Sequence, residues 1–144
     1  MERKYLVEGP VTAAIIASYI SELGKLDDAG GHSIFIGEVR ADTVDGKVVA
    51  GIEYSAYDEM VEAESKRIIK VTREAFSDIK EIVILHSVSL VRVGEISLFV
   101  LVTAGHRDQA IRGCQHVVEM IKLDYPVWKK EIFDDSSHRW KENP

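Results

Sequence analysis

An Asp-Gly pair at 45–46, set between two strand-like runs, constrains the fold of this chain more than any other feature. Such a pair favours a two-residue hairpin turn, whose central residues must take positive φ. The run before it, His32 to Arg40, reads as a strand in which Ile34, Phe35 and Ile36 pack. Gly37 inside that run marks a bulge or a close backbone approach. Lys47 to Tyr57 then returns antiparallel. Further strands are expected at Glu81 to Val88, Ile96 to Ala104 and Val127 to Ile132. Three helical periods lie between them. The first opens at Pro10 and Thr12, carries Ala13, Ile16, Ala17 and Ile20, and closes at Gly24. The second runs from a cap at Asp58 to about Phe76, with Met60, Ala63, Arg67, Ile68, Val71 and Ala75 inward. The third starts at a cap on Asp108, has Ala110, Ile111, Cys114, Val117, Val118 and Ile121 on its apolar face, and is stopped by Pro126. Strands and helices alternate, yet the hairpin demands antiparallel pairing, so the expected class is α+β.

With 144 residues and no repeat or linker, the chain reads as one domain over 1–144, large enough to bury a core. A net charge of -6 argues against nucleic acid or an acidic membrane as a partner. A single cysteine excludes an internal disulfide framework and fits a reducing compartment. Met1-Glu2-Arg3-Lys4 is followed by no long apolar stretch, and the string Ile96 to Val102 is far too short to span a bilayer. The expectation is a soluble, cytoplasmic protein.

Cations are sparse but gather in the C-terminal half. His106-Arg107 precede the third helix, where free N–H groups favour an anion. Lys122 lies near its other end, Lys129 and Lys130 follow the proline, and Arg40 ends the Gly37 strand. Each alone reads as ordinary solvated charge; together they bracket one helix with positive charge. Cys114 falls on an apolar helix face, which makes it a packing residue with little thiolate. The five histidines show no metal-binding spacing, so neither metal nor cofactor is expected.

Several segments resemble the molybdopterin synthase large-subunit family. Phe35-Ile36-Gly37-Glu38-Val39-Arg40 looks like its F-x-G-x-V-R strand, and Ile52 to Met60 is similar to its L-E-Y-x-x-Y-x-x-M segment. His86 and Val93-Gly94-Glu95 match parts of the next block. Ala104-Gly105-His106-Arg107 resembles the A-x-H-R turn, Lys122 to Glu131 follows K-x-x-x-P-x-W-K-[KR]-E, and Arg139-Trp140 echoes the tail. The motifs run in family order over nearly the whole chain.

The resemblance implies a homodimeric α+β protein with an α/β-hammerhead portion. It implies a small ubiquitin-like sulfur-carrier subunit as partner, bringing a C-terminal Gly-Gly thiocarboxylate. The substrate would be cyclic pyranopterin monophosphate, and the reaction its conversion to molybdopterin. By position, Arg40, His106, Arg107, Lys122, Lys129 and Lys130 fall on substrate-binding places flanked by Glu38, Val39 and Glu131, with Lys122 and Lys129 catalytic. The chemistry agrees with these residue types. Guanidinium groups such as Arg40 and Arg107 grip phosphate oxygens in pairs. Lysines 122 and 129 would neutralise the thiocarboxylate, and Lys122, crowded by other cations, could also act as an acid or base near neutral pH.

Two departures stand out. His86-Ser87-Val88-Ser89 replaces the family's H-R-x-G, losing an arginine and a glycine, and the tail ends at Asn143-Pro144 without the later cation of some relatives. The Ser87 departure supports an alternative, a non-catalytic anion-binding or scaffold homologue of the same fold. A cysteine-based sulfurtransferase is a second alternative, and it requires an exposed Cys114.

Overall fold

The computed structural model describes residues 4–141. The expectations drawn from Met1 to Arg3 and from Asn143-Pro144 lie outside the described residues. In chain order the elements are β1 (Leu6–Glu8), α1 (Ala13–Leu23), β2 (Gly31–Glu38), β3 (Thr43–Val44), β4 (Lys47–Ala56), α2 (Asp58–Ala75), β5 (Ile79–Arg92), β6 (Ile96–Ala104), α3 (Arg107–Asp124), β7 (Val127–Phe133) and β8 (His138–Lys141). The strands run in the order β2-β6-β5-β4-β7-β8, with β1 beside β5 and β3 beside β4. Every pairing is antiparallel except β1 with β5, so the class is α+β.

Asp45 and Gly46 do make the hairpin turn, at φ 51° and 77°. The turn joins β4 only to the two-residue β3. The longer strand before it, β2, pairs instead with β6 and forms an edge of the sheet. Gly37 sits at a register shift, where a Cβ would come 3.2 Å from the Phe35 ring. Side chains on β2 alternate: Phe35 packs inward, while Ile34 and Ile36 are exposed rather than packed.

β5 and β6 are covered on both faces, which explains the unbroken apolar run of β6. Leu98, Val100 and Val102 face the main core, together with Ile82, Ile84 and the α3 residues Cys114, Val117 and Ile121. Phe99, Leu101 and Leu85 face the other way, toward α1. Burying each large aliphatic side chain contributes roughly 1.5–3 kcal/mol.

Helix limits match the sequence patterns better than helix faces do. Thr12 caps α1, its hydroxyl accepting from the Ile15 N–H at 3.3 Å, and Gly24 ends it. Its packed residues are Ile15, Ile16, Tyr19 and Leu23, whereas Ala13, Ala17 and Ile20 are exposed. The caps of α2 and α3 are Tyr57 and His106, not Asp58 and Asp108, which occupy first turns. α2 buries Val61, Ser65, Ile68 and Thr72, while Met60, Ala63, Arg67 and Ala75 are exposed. α3 buries the expected face except for Ile111, which points to solvent. β8 was not anticipated.

Candidate active site

Where α3 ends, Pro126 redirects the chain into β7, and the pleat decides which side chains look inward. Val127, Lys129, Glu131 and Phe133 share one face of β7; Trp128, Lys130 and Ile132 share the other. The first face, together with the end of α3, the bulged end of β2 and β8, encloses a cavity of about 320 Å³. Glu38, Val39 and Arg40 line it from the end of β2, Lys122 from α3, Lys129 and Glu131 from β7, and Lys141 from β8. Tyr54 and Ser97 form part of its floor, where the Ser97 hydroxyl donates to the Gly37 carbonyl at 3.4 Å.

The lysines dominate its electrostatics. Burial, followed by the charges of Lys122 and Lys141, pushes Lys129 down to about 8. Burial pushes Lys122 in the same direction, with Lys141 adding to it. The nearby acids do little to relieve this crowding. Glu131 is 2% exposed, and the Arg139 Nε donates to its Oε1 at 2.9 Å. Asp42 accepts from Arg40 at 2.8 Å on the rim. Arg40 itself is largely exposed, tethered at the mouth of the cavity.

Below the lysines lies a residue the sequence reading left without a role. His86 is buried between Tyr54, which meets it edge-on at 5.1 Å between ring centroids, and Tyr125, tilted against it at 5.8 Å. Its Nδ1 lies 2.8 Å from the Ser87 carbonyl, and burial pushes its pKa down to about 4, so the ring is neutral. Tyr125 in turn shares a short hydrogen bond with Ser65 of α2. These groups support the cavity floor without adding charge.

Three of the expected residues are elsewhere. Lys130 occupies the opposite face of β7, 3.9 Å from Glu53 and over the Trp140 ring. His106 and Arg107 lie at the far end of α3, about 22 Å along the helix axis from Lys122. There His106 is exposed, and both its backbone N–H and Nδ1 contact Asp78 Oδ2. Lys141 and Tyr54 were missed as site residues. Lys141 follows the Arg139-Trp140 motif directly, but only the register of β8 brings it to the cavity.

The departures at 87 and 89 can also be placed. Ser87 is buried, and its hydroxyl donates to the Ile96 carbonyl rather than lining the cavity. Ser89 has φ 72°, the left-handed region a glycine would favour, so the backbone turn is kept without the glycine. Cys114 is 4% exposed, and burial raises its thiol pKa. Among the described residues no group of His, Cys, Asp and Glu is arranged to hold a metal. No helix among them is long and apolar enough to cross a membrane.

Comparison with known proteins gives consistent results. The profile of the MoaE protein family matches residues 10–124. The molybdopterin synthase catalytic subunit of Drosophila melanogaster is 35% identical over 144 residues, covering 99% of this chain. That of Taeniopygia guttata is 35% identical over 124 residues, 86% of this chain and 79% of the relative. The chain spans only 38% of the length of the Drosophila relative. Among solved structures, molybdopterin synthase from Staphylococcus aureus superposes with a TM-score of 0.85 at 27% identity, covering 99% of this chain and 98% of the other. A chain from the complex of subunits 1 and 2 of molybdopterin-converting factor from Helicobacter pylori has the same fold, with a TM-score of 0.80 at 16% identity, covering 96% of this chain and 89% of the other.

Proposed function

This chain belongs to the MoaE family, and from that premise we propose that it is the catalytic subunit of a molybdopterin synthase, acting as one domain over 1–144. It takes sulfur from the C-terminal Gly-Gly thiocarboxylate of a small ubiquitin-like carrier and places it on cyclic pyranopterin monophosphate. The observation that carries this reading is the cavity in which Lys122 and Lys129 converge with Arg40 at the mouth. Both reactants are anions, and a low-dielectric cavity lined by cations suits them. The thiocarboxylate sulfur forms a new C–S bond at a pterin side-chain carbon as a C–O bond of that carbon breaks, its oxygen leaving on the opened cyclic phosphate or as water. Water then cleaves the acyl–sulfur bond, the carrier leaves as a carboxylate, and a second carrier supplies the other dithiolene sulfur. Lys129, at about 8, and Lys122, lowered by the same burial, can exchange protons during these steps, and Lys122 also neutralises the developing charge. Because sulfur arrives on the carrier, Cys114 can remain in the core. A reducing cytoplasm fits both thiol and thiocarboxylate.

His106 and Arg107 join this site if the protein is a homodimer. Strand β2 connects the two regions: a Cβ at Gly31 would lie 3.2 Å from Arg107 Cα, and the Glu38 end borders the cavity. β2 is an edge strand with Ile34 and Ile36 exposed along it. A two-fold axis near its middle would set the partner's His106 and Arg107 beside this chain's Arg40. Those groups would hold the substrate phosphate. Lys130, on the far side of β7, would then act only at the rim.

The test is incubation of the purified chain with thiocarboxylated carrier and the cyclic pterin, with molybdopterin measured as product. Formation of product at a rate that depends on Lys122 supports the reading. Anion binding without product would favour the scaffold alternative.

A further inference from the structure

Lys141 belongs to none of the matched motifs, yet it sits directly opposite Lys129 in the β7–β8 ladder. Side chains directly opposite in an antiparallel pair have Cβ atoms about 4.5–5.5 Å apart, and like charges so placed repel. Both lysines line the same cavity as Lys122. The other charged or titratable groups around Lys129 leave the repulsion standing. On β7 and β8, Glu131 is paired with Arg139. At the end of β2, Asp42 is held by Arg40, and Glu38 lies on the exposed rim, where solvent screens it. From β4 and β5 come only the Tyr54 hydroxyl, whose pKa burial raises, and the neutral His86.

We propose that Lys141 is a positioning residue for sulfur transfer, acting through Lys129: its charge faces that amine across the β7–β8 pair and keeps it able to give and take a proton at working pH. The proposal rests on the sulfur-transfer reading above. Its physical need arises when substrate enters. A phosphate and a thiocarboxylate would each favour the charged form of Lys129 and remove its ability to act as a base. A third cation balances those anions, so that Lys129 need not serve only as a counter-ion. Depression of the Lys129 pKa to about 8, caused first by burial and then by the charges of Lys122 and Lys141, agrees with this arrangement.

The experiment compares Lys141→Gln and Lys141→Arg with the parent protein. The 13Cε shift of Lys129, assigned with Lys129→Arg, is titrated by NMR without substrate, and the pH profile of sulfur transfer is recorded in parallel. In Lys141→Gln the Lys129 midpoint should rise by about half a pH unit or more. The corresponding limb of the rate profile should move with it. Lys141→Arg should keep both near the parent values. An unmoved midpoint in folded Lys141→Gln overturns the proposal, as does a uniform fall in rate with no movement of the limb. A parent protein that transfers no sulfur overturns the functional reading and this role with it; the substrate-free titration tells that failure apart from a failure of the Lys129–Lys141 pairing.

Discussion

At its N-terminal end α3 presents His106 and Arg107 to solvent, whereas at its C-terminal end Lys122 faces a cavity shared with two further lysines. The first end is well compensated. Asp78 meets His106, and Arg112 beside Asp108 holds that carboxyl below the usual carboxylate range. The second end is crowded and partly desolvated, and both Lys122 and Lys129 are displaced from the lysine range. Comparable charge in two settings thus has two consequences: exposed cations bind and orient, while confined ones can also move protons.

Lys122→Ala should break the comparison most severely, lowering single-turnover sulfur transfer at least about a hundredfold with little change in carrier affinity. Lys122→Arg should rescue poorly, because a guanidinium keeps its proton. Near-normal turnover in a folded Lys122→Ala protein would remove the confined end from the chemistry.

Mixing chains tests whether the two ends meet across a dimer. Lys122→Ala and Arg107→Ala chains, each impaired alone, should recover about a quarter of the parent activity when reassembled together, since half of the dimers then hold one intact site. No recovery beyond the activity of either variant alone, with mixed dimers verified by mass, would mean that the exposed end serves no shared site.

A smaller effect should appear in stability. Between about 8 and the usual lysine value of 10.5, the unfolded chain holds a proton on Lys129 that the folded chain does not, so stability rises with pH across that window. Lys129→Met should flatten the rise and add on the order of 1 kcal/mol near pH 7. Urea unfolding at several pH values measures both. A slope as steep as the parent's would show that Lys129 is not confined.

Cys114→Ala should change least. Sulfur transfer should persist, with about 1 kcal/mol of stability lost from the core. Lost activity in a folded variant would instead revive a cysteine-based route.

The sequence is legible where a local rule acts alone. Thr12 and Gly24 bound α1, Asp45-Gly46 turns, Pro126 stops α3, and Cys114 packs, all from short-range chemistry. The inner face of α2 is hidden because two of its buried members are polar. Ser65 is satisfied by Tyr125, and Thr72 by His116 and the Ile68 carbonyl, partners that only the tertiary fold supplies. Cys114 and its neighbours needed no such partners. Lys122, Lys129 and Arg40 were readable as a set because motifs carry them. Lys141 was not, because β8 is a short strand of His-Arg-Trp-Lys with no apolar alternation to announce it. The separation of His106 and Arg107 from that set depends on helix length and strand order, not on any local pattern.

The alternation along β7 bears on which kinds of change the gene can absorb. Lys129 and Lys130 are neighbours in sequence and look out of opposite faces, so their roles are assigned by parity. A substitution at either alters one side chain. An inserted or deleted codon between Pro126 and Lys129 would exchange the two lysines, turn Trp128 toward the cavity and carry Glu131 away from Arg139. Variation in this segment should therefore be confined to replacements at constant length, while the loop between β7 and β8 can vary in length as long as Lys141 returns to its place.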